Sequence, residues 1–148
     1  MKKITIQDIQ NLKDSKSPFA TLTAYDFTSA RLADQANIPL ILVGDSAAMV
    51  VYGYETTIPI TIDEMMMLVA SVARGAQLAL VVADMPFLSY QVSVESAILN
   101  AGRFIKESGA QAVKLEGGRE YADRISGITN AGIPVVAHLG LTPQSYHQ

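Results

Sequence analysis

The sequence contains no cysteine, which excludes disulfides, thiolate nucleophiles and Cys-ligated zinc or iron–sulfur centres together. Positive charge is scarce: 11 Lys and Arg stand against 14 Asp and Glu, for a formal net charge of -3. No basic run extends beyond Lys2-Lys3, so neither a nucleic-acid footprint nor a polybasic membrane anchor is expected. No apolar run approaches the roughly 18 residues of a membrane span. After Lys2-Lys3 the chain reads ITIQDIQNLKDSKS, with charges where a signal peptide needs an apolar stretch. The expected class is a soluble, cytoplasmic globular protein. Its 148 residues, 49% of them hydrophobic, suit one domain that buries about 70% of the unfolded chain's surface.

Two kinds of segment alternate along the chain. Short β-rich runs occur at Ala20–Thr23, Leu40–Val43, Leu78–Val82, Ala112–Leu115 and Pro134–Ala137. Most are continuously apolar, as strands covered on both faces are. Helical patterns lie between them. Thr61-x-x-Glu64 is a capping-box signature opening a helix over Met65–Ala73, with Gly75 as its expected stop. Val94, Ala97, Ile98, Ala101, Phe104 and Ile105 form one apolar stripe ended by Gly109, and Tyr121, Ile125 and Ile128 repeat the scheme before Gly132. Phe27, Ala30 and Ala33 mark a weaker helix, and a short helix precedes the first strand. Met65-Met66-Met67 reads as core filler, and Arg31, Arg74, Arg103, Arg119 and Arg124 as solvated residues.

The order β-α-β-α-β-α-β-α-β specifies parallel strands with helices outside. It suits both an open doubly wound sheet and a (β/α) barrel. Polar residues after strand upon strand favour the barrel: Tyr25-Asp26, Asp45-Ser46, Asp84, Glu116 and His138. A barrel collects groups from many strand ends at one face, whereas an open sheet uses its switch point. No GxGxxG follows the first strand, and Gly117-Gly118 is too short for a phosphate loop. A complete barrel takes ~250 residues. Residues 1–148 are therefore expected to form a single partial barrel domain of about five βα units.

Asp45, Asp84 and Glu116 each follow or end a strongly apolar strand. Read singly, each could be a turn or helix-capping residue. Together in one mouth they would repel one another unless a cation stood between them, and all-oxygen donors suit a hard ion such as Mg2+. Strand alternation places Lys114 on the same face as Glu116. A lysine in an apolar strand needs an anion, either in a structural ion pair with Glu116 or a nearby Asp, or in a substrate. A Schiff-base role would compete with carboxylates that keep the amine protonated. His138 is either a hydrogen-bonded wall residue or a polar lining group, and Ser46 is a candidate donor to a substrate oxygen. No Ser-His-Asp arrangement can be made out.

These residues lie in strings that resemble the ketopantoate hydroxymethyltransferase family: LTAYD at 22–26, LVGDS at 42–46, ADMPF at 83–87, VKLEGG at 113–118 and HLGLTPQS at 138–145. The resemblance spans essentially the whole chain. It implies a (β/α)8 TIM-type barrel of the phosphoenolpyruvate/pyruvate superfamily, dependent on Mg2+, cytoplasmic and homo-oligomeric. The implied reaction adds a hydroxymethyl group from 5,10-methylenetetrahydrofolate to 3-methyl-2-oxobutanoate, giving 2-dehydropantoate in pantothenate biosynthesis. By motif, Asp45, Asp84 and Glu116 correspond to metal residues, Asp45, Ser46, Asp84 and Lys114 to ketoacid-binding residues, and His138 to an active-site histidine. The family's proton-accepting glutamate falls beyond Gln148, so residues 1–148 are expected to bind rather than turn over. Two alternatives stay open: another Mg2+-dependent ketoacid lyase or aldolase of the same superfamily, and a non-catalytic fragment.

Overall fold

In the computed structural model, which describes residues 2–147, five parallel strands form one sheet in the order β1-β2-β3-β4-β5. They are β1 (Thr21–Thr23), β2 (Leu40–Val43), β3 (Leu80–Asp84), β4 (Ala112–Glu116) and β5 (Val135–His138). The helices are α1 (Ile6–Asp14), α2 (Phe27–Gln35), α3 (Ala47–Val50), α4 (Ile62–Gly75), α5 (Val94–Arg103) and α6 (Ala122–Asn130). Strands that pair in strict sequence order, each parallel to the next, make the arc of a (β/α) barrel; a doubly wound sheet would reverse order at a switch point. Among the described residues, β1 and β5 each pair with a single neighbour.

Alternation divides the central strands into two faces. Ile41, Val43, Val81, Ala83, Val113 and Leu115 turn outward and join the main core with Met65, Val69 and Val72 of α4, Ala97 and Ala101 of α5, and Ile128 of α6. Leu80, Val82 and Ala112 turn inward, where Leu40, Leu42 and Val136 meet them and Ile4 and Ile9 close the N-terminal end. Above that layer the inward side chains are Asp84, Lys114, Glu116 and His138, at the C-terminal ends of β3, β4 and β5.

Local signals set the helix starts. The capping box of Thr61 and Glu64 forms as read, with the Glu64 carboxylate accepting from the Thr61 backbone at 2.8 Å. Thr5 and Asp8 repeat it at α1. Gly109 and Gly132 take positive φ after their helices, as stops do.

Four expectations are corrected. The third strand spans Leu80–Asp84, not Leu78–Val82, because the backbone N–H groups of Leu78 and Ala79 donate to the Asp34 carboxylate. Gly75 is the last residue of α4 rather than a left-handed stop; a Cβ there would lie 2.5 Å from the Phe27 carbonyl, so its role is the close approach of α2. Met65 is core, but Met67 is 74% exposed; adjacent helical positions diverge by about 100° and cannot share one face. Arg124 is not free: it pairs with Asp123 and donates to the Gln91 carbonyl at 3.1 Å. The apolar stripe that began at Val94 also continues through a π turn, Phe104–Ser108, which carries Phe104 into the core.

Candidate active site

Register builds the site. Asp84 is the direct lateral partner of Lys114, and Glu116 that of His138. Neighbouring parallel strands lie about 4.8 Å apart, so a lysine paired with an aspartate can bring its ammonium onto the carboxylate. Lys114 Nζ stands 2.8 and 2.9 Å from the two oxygens of Asp84, and 3.9 Å from Glu116 Oε1. The ammonium thus meets the neighbouring strand's acid first, and the acid two residues along its own strand second.

Gly44 follows β2 where the chain turns past this pair. A Cβ on it would come within 2.9 Å of Ser46 Oγ and 3.9 Å of Asp84 Oδ2. Bare backbone therefore leaves the room that Asp84 and Ser46 occupy. One residue on, the Asp45 N–H donates to Asp84 Oδ2 at 3.3 Å. Ser46 Oγ lies 2.8 Å from Tyr25 Oη, linking the ends of β1 and β2.

The structure brings Asp45, Ser46, Asp84, Lys114, Glu116 and His138 to one mouth, at the C-terminal strand ends. Asp26 does not join them: it caps α2 by accepting from the Ser29 backbone at 2.9 Å. His138 Nδ1 is 3.6 Å from Glu116 Oε1, too long for a hydrogen bond, and this buried nitrogen has no partner. A groove of about 440 Å³ opens beside Glu116 and His138, walled by Phe87, Tyr90 and Tyr121.

Two site residues carry no signal of their own in the sequence. Tyr90, buried in the loop after β3, meets the Glu116 backbone with its hydroxyl, which accepts from the Glu116 N–H at 3.1 Å. Burial holds its phenol above the usual value, so it stays protonated. Gln144, in the loop after β5, donates from its side-chain amide to Asp45 Oδ2 at 2.9 Å. The string at 138–145 contains Gln144, but nothing local distinguishes it from any loop glutamine.

Charge does not balance here. Asp45, Asp84 and Glu116 are 4%, 2% and 3% exposed, and among the described residues Lys114 is the one ammonium paired with them. Burial pushes the Asp84 carboxyl up to about 7; Asp45 adds to the rise and Lys114 opposes it. Three carboxylates facing one ammonium in a desolvated mouth suit a further cation. Among the described residues no three His, Asp or Glu side chains gather into a ready-made cage, since Lys114 and the Gln144 amide stand between the acids. A hard divalent ion held by one or two carboxylates, with water and substrate oxygens completing its shell, fits this donor set.

The profile of the ketopantoate hydroxymethyltransferase family matches residues 3–148. The 3-methyl-2-oxobutanoate hydroxymethyltransferase of Frankia alni is 56% identical over 145 residues, covering 98% of this chain and 48% of the relative. That of Rhodococcus jostii is 58% identical over 144 residues, covering 97% and 50%. The chain spans about half the length of these curated relatives. Among solved structures, phosphonopyruvate hydrolase in complex with oxalate and Mg2+ aligns with a TM-score of 0.72 at 17% identity, covering 88% of this chain and 50% of that one. The 2,3-dimethylmalate lyase, a PEP mutase/isocitrate lyase superfamily member, aligns at 0.65 and 18%, covering 88% and 51%. At these identities the structural likeness concerns the fold.

Proposed function

The chain belongs to the ketopantoate hydroxymethyltransferase family, and from that premise we propose that its polar mouth binds 3-methyl-2-oxobutanoate together with Mg2+ for hydroxymethyl transfer. The observation that carries the reading is the buried Lys114–Asp84 pair flanked by two further carboxylates. One or two of Asp45, Asp84 and Glu116 would hold the ion, and a superfamily neighbour with oxalate and Mg2+ supports the choice of metal and of a small carboxylate ligand. When bound, Mg2+ supplies divalent charge that acidifies the hydrogen next to a keto group.

The remaining steps fall to the side chains. Lys114, held in place by Asp84 at 2.8 Å, offers its ammonium to the oxygen that becomes anionic as C3 loses its proton. Ser46, oriented by Tyr25, offers a hydroxyl to the substrate carboxylate. His138, with an unpartnered nitrogen at the groove, lines the path to the second substrate. The enolate carbon then bonds to the one-carbon unit of 5,10-methylenetetrahydrofolate. With one water consumed, the products are 2-dehydropantoate and tetrahydrofolate. Base catalysis ordinarily supplies ~10²–10⁴-fold, and the resemblance assigns the base to a glutamate outside residues 1–148. On the same reading these residues form one partial-barrel domain of a cytoplasmic homo-oligomer.

Calorimetric titration of residues 1–148 with 3-methyl-2-oxobutanoate, with and without Mg2+, tests this. Binding that needs Mg2+ and falls at least ~100-fold in Asp84→Asn, by analogy with loss of a buried charged partner, is the expected result. Metal-independent binding would refute it, and normal turnover by residues 1–148 would refute the placing of the base outside them. Equal deuterium incorporation into unrelated ketoacids would favour the superfamily lyase reading instead.

A further inference from the structure

The loop after β5 returns one side chain to the ends of three other strands. Gln144 is 5% exposed. Its Nε2 donates to Asp45 Oδ2 and to the Met85 carbonyl, both at 2.9 Å. Its Oε1 accepts from Tyr90 Oη at 2.8 Å and from Gln91 Nε2 at 3.2 Å. Turning the amide over would set oxygen against a carboxylate and a carbonyl, so chemistry permits one orientation. The Gln144 backbone N–H donates to Glu116 Oε2 at 3.0 Å. Tyr90, which shares its hydroxyl between Gln144 and the Glu116 backbone, completes the link.

Gln144 therefore grips one oxygen of each of two acids from different strands: Asp45 through its side-chain amide, which Gln144→Leu removes, and Glu116 through its backbone N–H, which that substitution leaves. The other oxygens, Oδ1 of Asp45 and Oε1 of Glu116, make no hydrogen bond to it and remain for the mouth; Glu116 Oε1 lies 3.9 Å from Lys114 Nζ and 3.6 Å from His138 Nδ1. We propose that Gln144 is a positioning residue, which acts on the bound ion and ketoacid only through Asp45 and Glu116 by fixing which oxygen of each carboxylate faces the ligand. This rests on the metal reading above. Hydrogen-bond partners of ligating carboxylates hold their orientation, and losing one typically weakens metal binding ~10–100-fold. The lever is strong here because the acids are buried and bulk water cannot substitute for the lost donors.

Mn2+ serves as a spectroscopic probe in place of Mg2+. Electron paramagnetic resonance titration of residues 1–148 would be compared with Gln144→Leu and Tyr90→Phe, each checked for folding by circular dichroism. Gln144→Leu is expected to bind Mn2+ ~10–100-fold more weakly with an altered bound-ion line shape, which a merely structural role would not move. Tyr90→Phe, which loosens the amide without removing it, should give a smaller drop in the same direction. Parental affinity and line shape in a folded Gln144→Leu would overturn the positioning role alone. If that variant does not fold, Tyr90→Phe decides: a drop supports the role and parental behaviour overturns it. A parent chain that holds no Mn2+ overturns the metal reading, and this proposal with it.

Discussion

Asp34 and Asp84 are buried aspartates at opposite ends of β3, and their surroundings differ in kind. Asp34, below the start of the strand, gives one oxygen to the N–H groups of Leu78 and Ala79 at 2.9 and 2.7 Å. Backbone donors cannot move away or titrate, so that carboxylate is a fixed part of the scaffold. Asp84, at the other end, is held by an ammonium, faces a second aspartate and has a third acid nearby. Apart from the Asp45 N–H at 3.3 Å, its partners are side chains whose charge and position a ligand can change. The lesson is that burial alone does not mark a functional acid; the nature of its partners does.

Removing the ammonium should separate the two ends most sharply. Lys114→Met strands three carboxylates, and breaking a buried pair typically costs about 3–5 kcal/mol. The loss should depend on pH. In the folded protein Asp84 titrates at about 7, against ~3.9 when unfolded. The folded state therefore binds a proton that the unfolded chain releases, and this group's contribution to stability falls as pH rises between those values. Without Lys114 the folded value climbs further. Urea melts should show Lys114→Met near the parent at pH 5 and far below it at pH 8, with the metal-free parent itself declining across that range. A deficit that does not vary with pH would collapse the distinction between the ends.

Asp34→Ala is the matching lesion. Two backbone donors lose a charged acceptor, a change of about 2–3 kcal/mol. Ketoacid and Mg2+ affinity measured by calorimetry should stay at the parental value. A drop in affinity at constant folding would mean that the N-terminal end also shapes the mouth. Gly75→Ala should be smaller still. Its Cβ would sit 2.5 Å from the Phe27 carbonyl, and overpacking of this sort costs about 1–3 kcal/mol. A lowered melting temperature with unchanged ligand binding would place α2–α4 packing wholly on the scaffold side.

Much of this was legible in the chain. Short β-rich runs, most of them continuously apolar, located all five strands, and the two-residue spacing of Lys114 and Glu116 put both on one face. The capping pair Thr61–Glu64 opened α4 where expected. Errors arose where a distant group intervened. Leu78 reads as strand but is claimed by Asp34, 44 positions away. Gly75 reads as a stop but serves a contact with α2. Tyr90 and Gln144 could not be singled out, because their partners lie in other loops.

Composition and periodicity by themselves determined the parallel α/β class, the shared face of Lys114 and Glu116 and the set of acids available to the mouth, since these follow from short-range alternation and solvation. Only the tertiary structure decided who meets whom. Lys114 takes Asp84, 30 positions away, in preference to Glu116 beside it in the strand, because lateral register brings the first carboxylate into direct line. Gln144 reaches Asp45 across 99 positions, a contact made only when the strands lie side by side and the loops at their ends converge.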